Sequence, residues 1–216
     1  STAGINLHEG KKELVKARLG KRLREGNFRS FADYYKFVTT EDGTDELISM
    51  IDSISTNLTF FFREESHFQK LRQIIEKRHS SSGEKGAEKI SIWSAGCSTG
   101  EEPYSMAITL RECENGRPID ARIVATDIST RVLKAATQGI YPMERVNTLP
   151  TAILKRYFQR GCGNWSGQVR VKPDVQQMVK FTRFNLMEEA PAEFRFDIIF
   201  CRNVMIYFDK DTQSLL

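Results

Sequence analysis

The chain has 216 residues, of which 40% are hydrophobic and 28% charged, as in a soluble globular protein with room for one α/β domain and a small appendage. No apolar run approaches 18 residues and the N-terminus lacks a signal-peptide core, so the sequence predicts a cytoplasmic protein without membrane insertion. The four cysteines and three histidines are scattered and indicate neither a disulfide framework nor a metal site.

The N-terminal part of the chain is predicted to be helical. In the first stretch Val15, Leu19 and Leu23 recur at helical spacing and form an apolar stripe. Ser30 is a suitable N-cap for the second. The predicted helices cover residues 10–25, 30–38 and 45–54. Together they favour a small all-helical domain over residues 1–55.

Positive charge is concentrated in the same region. Residues 1–36 contain nine Lys and Arg residues against four acids, a net charge of +5, although the whole chain carries only +4. Lys11, Arg18 and Arg22 share one helix face, which predicts docking of an acidic partner; simple solvation of the face is the alternative. The low total charge and the lack of a recognised motif argue against a nucleic-acid partner.

Residues 56–89 are predicted to be a linker with a connecting helix, from about 65 to 78, and an exposed loop. Three phenylalanines, Phe60 to Phe62, precede Arg63. Core packing accounts for most such rings, but an aromatic wall can also face a cationic ligand. A guanidinium beside such a wall can bind a carboxylate, which makes Arg63 a candidate functional residue.

The segment ISIWSAGCSTGEEPYSM, residues 90–106, is predicted to be a buried strand, a turn at Ala95 and Gly96, and a helix N-terminus. Gly96 and Gly100 can expose backbone N–H groups where a Cβ would block a ligand. The turn lacks G-x-G-x-x-G, which disfavours a nicotinamide-dependent oxidoreductase, and it also lacks the G-K-[ST] of a P-loop. Glu101 and Glu102 suit a ligand with hydroxyls or positive charge, such as S-adenosylmethionine, or simply complement the helix dipole.

Polar residues follow each of the other predicted buried strands. Asp127 ends the strand 121–127 and is placed to accept ribose hydroxyls, although it could instead cap the helix near Ser129. Two further strands are predicted at 178–184 and 196–201. Because strand carboxyl ends line the ligand crevice of open α/β sheets, these residues should meet in one cavity. They are Glu102, Asp127, Asn185, Arg202 and Asn203. Residues 139–178 interrupt the alternation and predict a helix-plus-hairpin insertion.

These residues, taken together, resemble the chemotaxis receptor methyltransferase family. The matching runs are STNLTFFFRE, SAGCSTGEEPYSMAI, ATDIS followed by GIYP, RYFQRG and FDIIFCRNVMIYFDK. The resemblance implies a Rossmann-like methyltransferase sheet over residues 90–216, behind the helical domain and with a small β-subdomain insertion. It implies S-adenosylmethionine contacts from Asn57, Thr59, Arg63, Glu102, Asp127, Asn185, Leu186, Arg202 and Asn203. It also places Tyr207 near the transferred methyl group.

The implied reaction is methyl transfer from S-adenosylmethionine to glutamate side chains of bacterial chemoreceptors, with S-adenosylhomocysteine as the second product. The resemblance implies that the N-terminal helices approach the cytoplasmic helices of the receptor and that the insertion can bind a receptor C-terminal peptide. A cofactor-binding regulator without turnover is the alternative. Sheets of this class continue with three more strands, so we expect a fragment or a covered sheet edge.

Overall fold

The computed structural model describes residues 12–54, 59–81, 89–191 and 194–215. The helices are α1 Lys12–Glu25, α2 Phe31–Val38, α3 Thr44–Ile54, α4 Glu65–Ser81, α5 Glu101–Glu112, α6 Thr130–Gln138, α7 Thr151–Tyr157, α8 Pro173–Gln176 and α9 Lys210–Leu215. The strands are β1 Ile90–Ala95, β2 Ala121–Asp127, β3 Ile140–Pro142, β4 Phe158–Arg160, β5 Gln168–Val171, β6 Val179–Arg183 and β7 Ile198–Cys201. Within these ranges no helix has the length and apolarity needed to cross a bilayer.

Helices α1 to α3 pack around a hydrophobic cluster of their own. Leu19, Tyr34 and Val38 are buried in it, and Val15 and Leu23 pack against them, as the helical spacing predicts. The hydroxyl of Ser30 accepts a hydrogen bond from the N–H of Asp33 at 3.1 Å, which confirms the predicted N-cap of α2.

The central sheet is parallel, with strand order β6-β2-β1-β7. Ile92 of β1 aligns with Ile123 of β2 on one side and Ile198 of β7 on the other. The chain passes from β1 to β2 and β6, then returns to the opposite side of β1 to form β7. This reversal makes β1 the topological switch point, where open α/β sheets bind ligands beyond the strand carboxyl ends.

Different groups cover the two faces of this sheet. On one face Ile92 and Ile123 are fully buried, and Phe68 of α4 packs on Phe200 of β7 with ring centroids 5.9 Å apart. On the other face the Trp93 ring packs against the rings of Phe184, Phe194 and Phe196 from the connection between β6 and β7. Apolar groups therefore pack on both faces, as a parallel sheet requires.

Residues 139–178 form a second, antiparallel sheet with strand order β3-β5-β4, joined by α7. The predicted insertion is therefore confirmed, with a third strand added to the expected hairpin. The Phe61 ring packs edge-on against Tyr141 and Phe158, at centroid distances of 5.0 and 5.3 Å. Phe61 thus ties the insertion to the segment that follows the helical domain, and serves the packing role expected of most of these phenylalanines.

Candidate cofactor site at the strand ends

The carboxyl ends of the four parallel strands lie in register on one side of the molecule. Ala95 of β1 aligns with Thr126 of β2 and with Cys201 of β7, and Asp127 aligns with Arg183 of β6. The residues that follow these ends therefore share one side of the molecule. The strand ends are aligned as predicted. That Glu102, Asp127, Asn185, Arg202 and Asn203 meet in one cavity stays a prediction.

The turn after β1 is shaped by its glycines. Gly96 has a φ of +77°, and a Cβ there would lie 2.1 Å from Cγ2 of Val204. The N–H groups of Gly96 and Cys97 both donate to the carbonyl of Thr126, at 2.8 and 2.9 Å. The prediction that Gly96 offers its N–H to a ligand is therefore wrong: the glycine is needed for its backbone conformation and for the close approach of Val204.

Asp127 organises the same turn from the end of β2. Its Oδ2 accepts the N–H of Ser98 at 2.8 Å, and its Oδ1 accepts the N–H of Ser129 at 3.0 Å. Helix α6 is capped by the hydroxyl of Ser129, which accepts from the N–H of Val132. Asp127 is therefore not the side-chain cap of α6. Each carboxylate oxygen can accept more than one hydrogen bond, so these contacts are compatible with a ribose role.

Glu102 and Arg202 form an ion pair across the switch point. Arg202 Nη1 donates to Glu102 Oε2 at 3.0 Å, and Ser94 Oγ donates to Glu102 Oε1 at 2.8 Å. Burial raises the pKa of Glu102, and the Ser94 hydroxyl and Arg202 oppose that shift. The arginine guanidinium also lies over the rings of Phe68 and Phe200. Helix α5 is thereby linked to the loop that follows β7.

Glu101 faces a different neighbourhood from Glu102. Its side chain is 1% exposed, accepts the Thr99 hydroxyl at 2.6 Å and lies 3.7 Å from Arg145 Nη1 of the insertion. Burial raises the pKa of Glu101, and the Thr99 hydroxyl opposes the shift. The prediction that both glutamates face a ligand is thus wrong for Glu101, whose place in the first turn fits the dipole alternative.

Residues 59–64, here called the strap, run past the strand ends. Phe62 and Glu64 have φ angles of +55° and +57°, which side chains of this size rarely adopt. The Arg63 guanidinium lies 5.8 Å from the centroid of the Phe60 ring, which is 47% exposed. Of the three phenylalanines predicted to form an aromatic wall, Phe60 is the one whose ring lies beside the Arg63 guanidinium. Thr59 is half-buried, and Asn57 lies outside the described residues.

The loop after β7 meets the strap. Arg202 Nη2 donates to the Arg63 carbonyl and lies 3.3 Å from Glu64 Oε2. The hydrogen bond from Arg202 lowers the pKa of Glu64, with a further contribution from the Asn203 side chain. Tyr207 ends a 3₁₀ turn that begins at Met205, and its side chain lies outside the described part of the structure.

The end of β6 is less engaged with the other tips. Asn185 Oδ1 accepts the N–H of Met187 at 3.1 Å, which forms a local turn, and Leu186 is half-buried beside it. Both residues come within a few positions of the carboxyl end of β6. They therefore lie at the end of the sheet where the adenine ring is predicted to bind. That role stays a prediction.

The polar groups at the strand ends fit an adenosyl amino-acid cofactor. In the described ranges, three buried side-chain atoms lack a hydrogen-bond partner, and two of these belong to the site: Ser98 Oγ and Arg202 Nε. Buried polar atoms are normally satisfied, so a polar ligand here would find unmet partners. The site contains a carboxylate, two arginines and side-chain amides. These groups can form hydrogen bonds with the ribose hydroxyls and with the zwitterionic amino-acid part of such a cofactor. In the same ranges no group of three or more His, Cys, Asp or Glu residues could hold a metal.

The predicted basic face of α1 needs correction. Arg22 is paired with Glu46 of α3, and its side chain is 27% exposed. Arg18 Nη1 donates to the carbonyl of Ile54 at 3.1 Å. Both arginines therefore turn towards α3, whereas Lys11 lies outside the described residues. Spacing on one helix could not reveal this, because the partner is thirty-six positions away in the chain for Arg18.

Sequence reasoning missed Ser94, Glu64 and Arg145 as members of the site. Ser94 could have been found from strand alternation, because it shares a face with Ile90 and Ile92, next to the helix that carries Glu102. Glu64 directly follows Arg63, but nothing local marks its contact with Arg202. No sequence signal marks Arg145.

A parallel sheet with in-register strand ends, a tight glycine turn and an acidic residue at the next strand tip is the arrangement by which open α/β domains bind a nucleoside cofactor. The family model described as "CheR methyltransferase, SAM binding domain" matches residues 57–216, and "CheR methyltransferase, all-alpha domain" matches residues 1–55. The chain belongs to the CheR methyltransferase family. It is a methyltransferase that uses S-adenosylmethionine, as the resemblance implied.

Curated relatives agree over nearly the whole chain. "Chemotaxis protein methyltransferase 2" of Pseudomonas aeruginosa is 44% identical over 99% of this chain and 74% of its own length. Proteins named "Chemotaxis protein methyltransferase" are 42% identical in Borreliella burgdorferi, over 99% and 76% of the two chains, and in Salmonella typhimurium, over 98% and 71%.

Among solved structures, magnesium protoporphyrin IX methyltransferase from Synechocystis with bound S-adenosylhomocysteine aligns over 82% of this chain and 60% of its own. The TM-score is 0.33 and the identity 14%, too low to compare the two sites.

Proposed function

We propose that this protein transfers the methyl group of S-adenosylmethionine to glutamate side chains of bacterial chemoreceptors, and so serves adaptation in chemotaxis-type signalling. The products are glutamate methyl esters and S-adenosylhomocysteine. The observation that carries the proposal is the set of in-register strand ends that places Asp127 and the Glu102–Arg202 pair on one side of the molecule, with Arg202 bonded to the strap, in a chain of this family. Relatives named for chemotaxis support the pathway.

The proposed reaction needs no general base. A glutamate carboxylate has a usual pKa of about 4.3 and is already ionised at neutral pH. The bound cofactor supplies an electrophilic methyl group. The protein then has to align the carboxylate with that methyl and exclude water. Burial strongly raises the pKa of the Cys97 thiol in the turn after β1, so this cysteine stays protonated and unreactive.

The residues divide these tasks. We assign Asp127 to the ribose, Asn185 and Leu186 to the adenine edge, and the backbone of Ala95 and Gly96 to the floor of the site. Arg63 orients the incoming carboxylate. Its side chain is 29% exposed and lies beside the solvent-exposed ring of Phe60. The same proposal includes further cofactor contacts, from Asn57, Thr59, Glu102, Arg202 and Asn203. It also places Tyr207 near the methyl group.

Receptor docking is proposed for the helical domain, residues 1–55, which the linker 56–89 joins to the methyltransferase domain, residues 90–216. Arg22 is engaged with Glu46, so its reversal would disturb the domain itself. Lys16 and Lys21 are better probes because their side chains are 61% and 74% exposed. Reversing both charges should reduce methylation of a receptor fragment and leave cofactor affinity unchanged. Unchanged methylation would remove the support for docking on α1.

A receptor C-terminal peptide is proposed to bind the insertion. Residues 139–178 contain six basic and two acidic residues, a charge that favours an acidic peptide. Strands β3 and β4 are both edges of the three-stranded sheet, and an extended peptide can pair with such an edge. Because the receptor helices are cytoplasmic, we propose that the enzyme acts in the cytoplasm.

Mass spectrometry of receptor glutamates, after incubation with this protein and S-adenosylmethionine, tests the proposal. We expect methyl esters on glutamates of the cytoplasmic fragment. Binding of S-adenosylhomocysteine by calorimetry without any methyl ester would favour the alternative, a regulatory module without turnover. A fragment whose methylated glutamates are replaced by alanine is the matched control and should remain unmodified.

A further inference from the structure

Two arginines from distant parts of the chain hold the two ends of the strap. Arg145, at the end of a 3₁₀ turn in the insertion, donates from Nη1 to the carbonyl of Thr59 at 2.8 Å. Arg202, after β7, donates from Nη2 to the carbonyl of Arg63. Each arginine therefore binds the backbone beside a residue that is proposed to contact the cofactor or substrate.

Each arginine is anchored by one of the two consecutive glutamates of α5. Arg145 Nη1 lies 3.7 Å from Glu101 Oε1, and Arg202 Nη1 donates to Glu102 Oε2 at 3.0 Å. Both carboxylates are shielded from solvent, with Glu101 1% and Glu102 14% exposed; the Arg202 side chain is 11% exposed and that of Arg145 43%. Water and salt therefore screen the Glu102–Arg202 pair less than the Glu101–Arg145 pair.

The strap needs external support. Phe62 and Glu64 both have positive φ angles, and within the strap one backbone hydrogen bond, from Arg63 N–H to the Phe60 carbonyl at 3.4 Å, is long. The N–H of Phe62 donates outside the strap, to Ser105 Oγ at 2.9 Å. A backbone in sparsely populated regions persists only where the surroundings fix it, and such segments occur at functional sites.

We propose that Arg145, anchored by Glu101, is a positioning residue for methyl transfer: it clamps the N-terminal end of the strap, as Arg202 with Glu102 clamps the other end. The insertion thereby contributes to the cofactor site through a side chain that touches neither cofactor nor substrate. This inference rests on the proposed function for its effect on turnover, but its effect on the strap does not depend on the substrate.

The test compares Arg145→Gln with Arg145→Lys and with Arg160→Gln. Arg160 lies in the same insertion, is exposed, and its replacement changes the net charge equally. In the full chain without cofactor, Arg145→Gln should accelerate hydrogen exchange of a peptide spanning residues 59–64 by about tenfold, the effect of losing one charged hydrogen bond. Arg160→Gln should exchange as the wild type does.

Cofactor binding gives the second readout. Calorimetry with S-adenosylhomocysteine should show weakening by about three- to tenfold in Arg145→Gln and partial recovery in Arg145→Lys, whose single ammonium can reach one of the two partners. In turnover assays KM for S-adenosylmethionine should rise more than kcat falls. Glu101→Gln should reproduce the exchange result, and Arg145→Gln keeps the test valid if that buried change impairs folding.

If Arg145→Gln changes neither the hydrogen exchange of residues 59–64 nor the affinity for S-adenosylhomocysteine, the proposed positioning role of Arg145 is refuted. An equal effect of Arg160→Gln would overturn it as well, since the cause would then be general charge. If the wild type binds S-adenosylhomocysteine but methylates no receptor glutamate, the proposed function fails, whereas the exchange and calorimetry results still decide the clamp.

Discussion

Replacing Gly96 by alanine should destabilise the protein through two separable effects. The φ of +77° places an alanine in the left-handed region, which costs about 1–2 kcal/mol. The new Cβ would also lie 2.1 Å from Cγ2 of Val204, whose β-branched side chain has little χ1 freedom to move aside. Such overpacking costs about 1–3 kcal/mol, so the free energy of unfolding should fall by about 2–5 kcal/mol.

Two variants separate these effects. Gly116 has a similar φ of +83°, and a Cβ added there would meet no other atom within 4 Å, so Gly116→Ala should show the backbone penalty alone. Combining Gly96→Ala with Val204→Ala should recover part of the loss, with a coupling energy of about 1–3 kcal/mol. Urea unfolding followed by circular dichroism measures the wild type, each single variant and the double variant. Equal losses for Gly96→Ala and Gly116→Ala, or additive effects with Val204→Ala, would refute the steric argument.

Three further predictions concern carboxylates. Asp127→Ala should weaken S-adenosylhomocysteine binding about 10- to 100-fold in calorimetry, because it removes a charged hydrogen-bond acceptor at the strand tip; unchanged affinity would exclude the ribose role. Glu64→Gln should lower kcat and leave the melting temperature nearly unchanged, because it removes the ion pair between Glu64 and Arg202 beside the site. A lower melting temperature with a normal kcat would contradict this. Burial alone would raise the pKa of Glu46, but hydrogen bonds led by Arg22 lower it. Its stabilisation is therefore full above the usual value of 4.5 and is lost as the pH falls through the lower folded pKa. Melting curves should show a difference between wild type and Glu46→Gln at neutral pH that narrows as the pH falls below 4.5; a constant difference would count against the ion pair.

The parts of the fold that local sequence specifies were predictable. The strand at residues 121–127 has the bounds expected from its apolar run, and Ser30 and Ser129 cap the helices that follow them. In any parallel sheet the carboxyl ends of the strands lie on the same side, whatever the details of packing. The position of Asp127 at the end of β2 could therefore be predicted as well. These features depend on periodicity, capping chemistry and the geometry of parallel sheets, all of which can be read over short stretches.

The features that sequence could not predict depend on contacts between distant segments. Helical spacing assigned Arg22 to a basic face, yet Glu46 of α3 binds it. The N–H of Gly96 was available in principle, yet the carbonyl of Thr126 accepts it. In each case a group with unused bonding capacity was satisfied by the protein itself. Buried donors and charges are nearly always paired, so such internal partners compete with any ligand assigned from a motif.

The glutamate pair of α5 shows why a motif and a site differ. Successive residues of an α-helix project about 100° apart, so Glu101 and Glu102 cannot serve the same neighbour. One reaches the insertion through Arg145, and the other reaches the end of β7 through Arg202. Both carboxylates gain from the positive end of the helix dipole, which helps to offset their burial. A dipeptide that suggests one acidic patch in the sequence thus supports two arginines at opposite ends of the strap, and the strap carries Arg63 to the strand ends.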